Sequence, residues 1–367
     1  MNDYFCVLPF FGYEYQVDNK SKHCCLLPDD YDIDVIKNDI LNGRKSSACS
    51  ACWDLEDAGL ISDRKIKNST LDHYWNKDIN FIEEEVRQGN YSQKLVKFSA
   101  SNTCNATCVT CGAEASSAWR ELLEKSAKKK IDIIPVSPYG IPVYQGKKEK
   151  HEIDQNLDFK NLVGLNLLGG EPLYEKINFY ILEQLIKNNN ANCFIQITTN
   201  GSVTLSNEFK RLLSQFKNLN FGISIDGVGP VFEYMRYPLK WNKLLDNLKF
   251  FRTISDNISA GNTTSNLNVL YHQQTIDWFE NEKIPYHFNP VIFPTWFRPG
   301  ALPKDVKERI LDKFGHSQNM SFFLSIKHTN KDDEDFQQAL QQIKYQDQIK
   351  NISIRDYLPE FCDLINY

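Results

Sequence analysis

Residues 101–112 read SNTCNATCVTCG, and they place Cys104, Cys108 and Cys111 at C-x3-C-x2-C spacing. The run just before them, Leu95–Ala100 (LVKFSA), has the apolar, β-branched texture of a strand. The cysteines therefore sit on a loop that leaves a strand's C-terminal end. Three thiolates so close in sequence suit three irons of an iron–sulfur cubane and leave the fourth iron open to an outside ligand. Small polar residues between them suit a loop whose backbone amides point at cluster sulfurs. The competing chemistry is structural zinc, which wants four ligands and usually draws them from paired C-x2-C units.

Beyond this loop, apolar runs alternate with amphipathic ones. Strands are expected at 162–168, 193–199, 219–225, 259–265 and 286–293, with helices at 113–128, 177–188, 206–216, 239–254 and 273–283. Six strand–helix alternations predict right-handed βαβ units and a parallel sheet covered on both faces. Residues 131–155 interrupt the rhythm with prolines, glycines and a charged run, and read as an insertion. Residues 301–367 read as a polar helical extension. Residues 1–90 show little periodicity apart from helical stretches near 34–42 and 78–89.

At strand ends, where parallel α/β folds gather their chemistry, further polar motifs recur. Gly169-Gly170-Glu171-Pro172 follows the second strand, Thr198-Thr199-Asn200-Gly201 the third, and Ser224-Ile225-Asp226-Gly227 the fourth, with Arg236 ten residues after Asp226. Glycines allow close backbone approach, a carboxylate attracts an ammonium, and a guanidinium fork suits a carboxylate.

In this order the motifs resemble the radical S-adenosylmethionine (SAM) superfamily across residues 94–295. The resemblance implies a partial (β/α)6 TIM-like barrel over 91–300. It implies a [4Fe–4S] cluster on Cys104, Cys108 and Cys111. It also implies SAM contacts from Gly169, Gly170, Glu171, Thr199, Asn200, Ser224, Asp226 and Arg236. The implied reaction starts with one electron from an external donor, cleaves SAM to methionine and a 5′-deoxyadenosyl radical, and removes a hydrogen atom from the substrate. One departure is Thr110, where many members carry an aromatic residue before the third cysteine; it implies that adenine is held differently. The sequence singles out no general acid or base, and a role for Glu114 has no support in it.

The chain has 367 residues, ten cysteines and a formal net charge of −5. At about 150 residues per domain, it is too large for a disulfide-stapled scaffold. A mildly acidic balance speaks against bulk nucleic-acid binding. The opening MNDYFCVLPFFGYEY has no basic stretch typical of a signal peptide, and no run of about 18 apolar residues exists. The expectation is a reducing, cytoplasmic setting without membrane association, where clustered cysteines bind metals.

Eight cysteines precede residue 112. Of these, Cys6, Cys24-Cys25 and Cys49-x2-Cys52 resemble the auxiliary-cluster modules called SPASM and twitch, here placed before the barrel as a small irregular iron–sulfur domain over 1–90. The stretch Cys52-Trp53…Glu56…Gly59…Ser62-Asp63-Arg64…Asn68 resembles that of twitch-type radical SAM proteins, and Asn19 stands where the module usually has glycine. The resemblance implies a second [4Fe–4S] cluster on Cys6, Cys24, Cys49 and Cys52; Cys25 competes with Cys24, and zinc with iron–sulfur. Such relatives often act on peptides or protein side chains. A small-molecule dehydrogenase or epimerase, and a non-catalytic metal-stabilised binding module, are the alternatives. Cys193 and Cys362 read as core packing, as does most of the aromatic run 288–297.

Overall fold

In a computed structural model of the chain, residues 3–17, 21–24, 26–57, 59, 61–131, 149–314 and 332–367 are described. Most of the expected insertion (132–148), together with Asn19 and Cys25, lies outside them.

The strands are β1 (Gly12–Tyr15), β2 (Ser21–Lys22), β3 (Leu95–Ser99), β4 (Gly164–Leu168), β5 (Phe194–Thr199), β6 (Asn218–Ser224), β7 (Asn257–Thr264) and β8 (Tyr286–Pro290). They form an eight-stranded sheet in the order β2-β1-β3-β4-β5-β6-β7-β8. The N-terminal helices are α1 (Leu8–Phe11), α2 (Ile33–Leu41), α3 (Ser50–Asp57), α4 (Asp63–Trp75) and α5 (Ile79–Arg87). Between the later strands come α6 (Ser117–Lys128), α7 (Lys150–Asn156), α8 (Lys176–Lys187), α9 (Asn207–Leu213), α10 (Pro230–Met235), α11 (Trp241–Ile254) and α12 (His272–Asn281). The chain ends in α13 (Lys304–Phe314), α14 (Asp332–Lys350) and α15 (Pro359–Ile365). Every strand predicted from residue 95 onward is present and starts within two residues of its expected place.

Two differences matter. The N-terminal region is far more regular than its sequence suggests. Ser62 caps α4 by accepting from Lys65 N at 3.2 Å, and Asn76 ends it in the left-handed conformation at φ 53°. The apolar stripe of this helix is weak, so periodicity missed what the caps announce. Strand β1 is only four residues long, yet it pairs in parallel with β3, Gly12 opposite Leu95. The second difference concerns the faces of the sheet. Strands β5 and β6 alternate buried with half-buried residues, so one face is less fully covered than their apolar runs imply.

Two compact units are present. The first comprises Met1–Ser101, Gln145–Ile197 and Leu205–Asn220. In it β3, β4 and β5 pair in parallel, with Leu95 opposite Gly164 and Gly164 opposite Phe194. Phe5, Phe11, Ile36, Ile40, Leu71 and Ile82 fill a core beneath the N-terminal helices. The second unit comprises Asn102–Tyr144, Thr198–Thr204 and Phe221–Tyr367. There β7 and β8 pair in parallel, and Met235, Leu267, Phe297, Ile343 and Phe361 form a core shared with α14 and α15. Cys362 is buried in that core, and Cys193 is also buried. Trp296 and Phe297 pack inside, whereas Ile292 and Phe293 are exposed. Among the described residues no helix is long and apolar enough to cross a membrane.

Candidate functional site

The three-cysteine loop belongs to the second unit, and that unit's own groups tie it down. Thr107 N donates to Tyr237 O at 2.6 Å and Val109 N to Met235 O at 2.9 Å. Ser116, the cap of α6, donates from Oγ to Ala106 O at 2.6 Å. Trp119 Nε1 donates to Cys108 O at 2.9 Å, and Gln346 Nε2 on α14 donates to Val109 O at 3.1 Å. Asn105 is bracketed after β5: Asn200 Nδ2 donates to its Oδ1 at 2.8 Å, and its own Nδ2 donates to Ser202 Oγ at 3.0 Å. Such a loop holds its thiols in place before any ligand arrives.

Cys108 is buried, and Cys104 and Cys111 are half-buried. The thiols of Cys108 and Cys111 hydrogen-bond to each other. That bond, helped by Arg236 and opposed by burial, holds Cys108 below the ordinary thiol range. The same bond and burial push Cys111 up. A lowered pKa favours the thiolate, the form that binds metal. Among the described residues, no three His, Cys, Asp or Glu side chains are grouped to hold a metal ion. A zinc ion draws its thiolates to about 2.3 Å from one point, whereas a cubane takes them on separate irons. The donor set, three cysteines on one pinned loop with no histidine or carboxylate among them, fits an iron–sulfur cluster.

Beside it in the same unit, Asp226 and Arg236 meet. Arg236 Nη2 donates to Asp226 Oδ1 at 3.0 Å; Nε stands 2.9 Å from Oδ2 but outside hydrogen-bond alignment. Asp226 Oδ1 also accepts from Thr263 N at 2.8 Å, and its carbonyl accepts from Asn268 Nδ2 at 2.7 Å. Burial works against the Arg236 charge, but Asp226 and the Cys108 thiol outweigh it and hold the guanidinium above its usual range. Ser224 ends β6 half-buried, while Asp226 lies past the strand's end and is buried. Thr199 Oγ1 accepts from Gly201 N at 3.0 Å, and Asn200 Oδ1 accepts from Ser202 N at 2.9 Å.

The glycine pair belongs to the first unit. Gly169 has φ +122°, and a Cβ there would lie 2.6 Å from Ser101 O. Gly170 N donates to that same oxygen at 3.0 Å. Only glycine fits such a close approach at a left-handed φ. Glu171 is buried and caps the short 3-10 turn Pro172–Tyr174, accepting from Leu173 N at 3.0 Å.

Four N-terminal cysteines, also in the first unit, line one cavity: Cys6, Cys24, Cys49 and Cys52. Leu8, Pro9, Leu27 and Trp53 supply apolar wall, and Arg64 reaches its edge. Burial pushes the Cys6 thiol well up and Cys49 to about 11. The Cys6 segment is clamped on both sides. Arg64 Nη1 and Asn68 Nδ2 donate to Phe5 O at 2.7 and 2.9 Å, and Val7 N donates to Asn68 Oδ1 at 3.0 Å. Arg64 is fixed in turn by Glu56, which also accepts from Ser62 Oγ. Four cysteines around one mostly apolar cavity supply the number of thiols a fully ligated centre needs, although among the described residues their side chains are not grouped around one point.

Asn105, Trp119, Gln346 and Lys350 escaped the sequence reading. Asn105 sits between the cysteines and could have been found there. The others lie on helices whose approach to the loop only folding decides.

No family model matches the chain. An uncharacterised protein of Methanocaldococcus jannaschii is 30% identical over 187 residues, 48% of this chain and 55% of that protein. The chain thus spans about half the length of this curated relative. Among solved structures, native anSMEcpe with bound AdoMet aligns over 62% of this chain and 61% of its own, at 15% identity and a TM-score of 0.42. Streptococcus suis SuiB bound to S-adenosylmethionine aligns over 72% of this chain and 56% of its own, at 14% identity and a TM-score of 0.42. SuiB bound to the precursor peptide SuiA aligns over 65% and 49%, at 13% identity and a TM-score of 0.42.

Proposed function

We propose that the chain is a radical SAM enzyme acting on a peptide or protein side chain. The observation that carries this reading is the pinned loop of Cys104, Cys108 and Cys111 directly after β3, with Cys108 and Cys111 in thiol contact. These three residues would hold a [4Fe–4S] cluster. When bound, that cluster supplies the electron for reductive cleavage of SAM to the radical that removes a substrate hydrogen atom.

The chain's own residues bind and orient. Gly169, Gly170 and Glu171 would receive the methionyl amino group, with Glu171 supplying the opposing carboxylate. Thr199, Asn200, Ser224, Asp226 and Arg236 line the remainder of the SAM site. The Asp226–Arg236 pair either opens toward the SAM carboxylate and ribose or holds the site in shape. Cys6, Cys24, Cys49 and Cys52 hold an auxiliary cluster within residues 1–90, and residues 91–300 form a partial (β/α)6 barrel. Cys24 lines the cavity, and Cys25, its neighbour in sequence, is the alternative fourth ligand. An external one-electron donor and a reducing, cytoplasmic setting complete the reading.

The test is anaerobic reconstitution with iron and sulfide, followed by SAM and a low-potential reductant. About eight irons per chain are expected for two clusters, together with release of 5′-deoxyadenosine. Cys104→Ala, Cys108→Ala and Cys111→Ala combined should abolish that release and keep about half the iron; Cys49→Ala with Cys52→Ala should lose the other half. Bound zinc in place of iron, or 5′-deoxyadenosine from the triple variant, would refute the assignment.

A further inference from the structure

Lys350, the last residue of α14, is buried in the second unit with no carboxylate at ion-pair distance among the described residues. Its Nζ donates to Gln346 Oε1 at 2.8 Å and lies 4.5 Å from the Trp119 ring centroid and 5.8 Å from that of Tyr237. All three neighbours serve the cysteine loop. Gln346 donates to Val109 O, Trp119 donates to Cys108 O, and the Tyr237 carbonyl accepts from Thr107 N. The nearest carboxylate in sequence, Asp347, is committed elsewhere: it accepts from Tyr234 Oη at 2.9 Å and from Ile354 N at 2.6 Å. Burial lowers the Lys350 pKa to about 7, and Cys108, Asp347 and Cys111 oppose that shift.

A buried ammonium without a counter-ion is costly, and proteins retain one where an anion completes the pair. Aromatic faces and one amide oxygen offset only part of that cost. Three thiolates outweigh the positive charge of an oxidised cubane core, and reduction adds one more negative charge.

We propose that Lys350 is the built-in counter-charge of the cluster on Cys104, Cys108 and Cys111 and raises its reduction potential. The inference rests on the radical SAM reading of that loop. Lys350 reaches the site through a C-terminal helix that no motif of the barrel includes. The partners of its ammonium among the described residues are residues that hold the cysteine loop, so it is assigned as a positioning and tuning residue. A fixed positive charge stabilises the reduced, more negative cluster over the oxidised one. The electron itself comes from the external one-electron donor.

The experiment is a redox titration of the full-length reconstituted protein, followed through the EPR signal that changes when SAM is added. Lys350→Met and Lys350→Gln should keep iron content and helicity. At fixed potential, their reduced-to-oxidised ratio should fall about tenfold, equal to about 59 mV for a one-electron couple. Lys350→Arg should restore most of it. Unchanged midpoints in both neutral variants, or an arginine variant that behaves like them, would overturn the inference while leaving the cluster in place. A purely structural role would lower iron content in all three variants and leave the midpoint of the remaining clusters unmoved. A wild-type protein with iron but no SAM-responsive signal would overturn the radical SAM reading itself, and this inference with it.

Discussion

Replacing Arg64 with methionine tests how the N-terminal cysteine cavity is held. Arg64 is 7% exposed. It donates from Nε to Glu56 Oε1 at 2.9 Å and from Nη2 to Glu56 Oε2 at 2.5 Å. Its third arm meets Phe5 O at 2.7 Å, and its guanidinium lies 5.0 Å from the Trp53 ring centroid. Methionine keeps much of the volume and loses every polar contact. The largest consequence is at Glu56, left as a half-buried carboxylate with Ser62 and, at 3.9 Å, the Lys65 ammonium as its remaining partners. Breaking one side of a buried pair costs about 3–5 kcal/mol. The Phe5 carbonyl keeps its bond from Asn68, so its loss stays near the low end of about 1 kcal/mol. The lost ring contact adds about 0.5–1 kcal/mol. Glu56 thus dominates, and because it is half-buried and keeps Lys65 nearby, Arg64→Met should lose about 3 kcal/mol, the low end of that range.

Anaerobic urea unfolding followed by tryptophan fluorescence measures this. Adding Glu56→Leu should recover most of the loss, because no charge is then left buried without its partner, and only the Ser62 hydroxyl loses an acceptor. The pH dependence carries a second sign. Burial raises the Glu56 pKa, but Arg64 and Ser62 more than offset it, so the carboxyl is held below 4.5. Its contribution is present above the unfolded pKa and lost as pH falls through the folded one. Without Arg64, burial is left with less opposition, and that acid-side loss should shrink or reverse. A single-variant loss under about 1 kcal/mol, or a double variant as unstable as the single, would refute the argument.

Gly169→Ala should destabilise by about 1–3 kcal/mol and weaken SAM binding, since a left-handed φ and a 2.6 Å approach to Ser101 O coincide there. Gly89→Ala, at φ +78° with nothing within 4 Å, should cost less; equal melting temperatures for the two variants would contradict the crowding argument. His272 is buried against Phe288, with ring centroids 4.0 Å apart, and burial lowers its pKa to about 4 from 6.5. The unfolded chain then binds the proton first, so stability should fall as pH drops from about 6.5 toward 4. His272→Phe should flatten that slope in urea titrations across the interval, and an unchanged slope would rule His272 out as its source.

Much of the strand–helix alternation from β3 onward was legible because strand and helix periods differ and each βα unit repeats them. Strands β3 to β8 and the helices after them follow the apolar pattern closely. The N-terminal region was harder. Helix α4 has a weak apolar stripe and shows itself mainly through Ser62 and Asn76. Strand β1 earns its place by pairing with β3, eighty residues later in the chain. The cysteine loop was readable from spacing alone because its ligands come from one short segment.

The sequence by itself determined which thiols are available, their spacing after β3, and the glycines and carboxylates at the strand ends. These are local properties, carried by a few adjacent residues. Only the tertiary structure decided that Cys6, Cys24, Cys49 and Cys52 share one cavity, that Asp226 meets Arg236, and that Gln346 and Lys350 from the last long helix reach the neighbourhood of Val109 and Trp119. The physical reason is separation along the chain. Partners up to 237 residues apart are chosen by how buried faces pack and which polar groups must then be satisfied, and no local pattern encodes that choice.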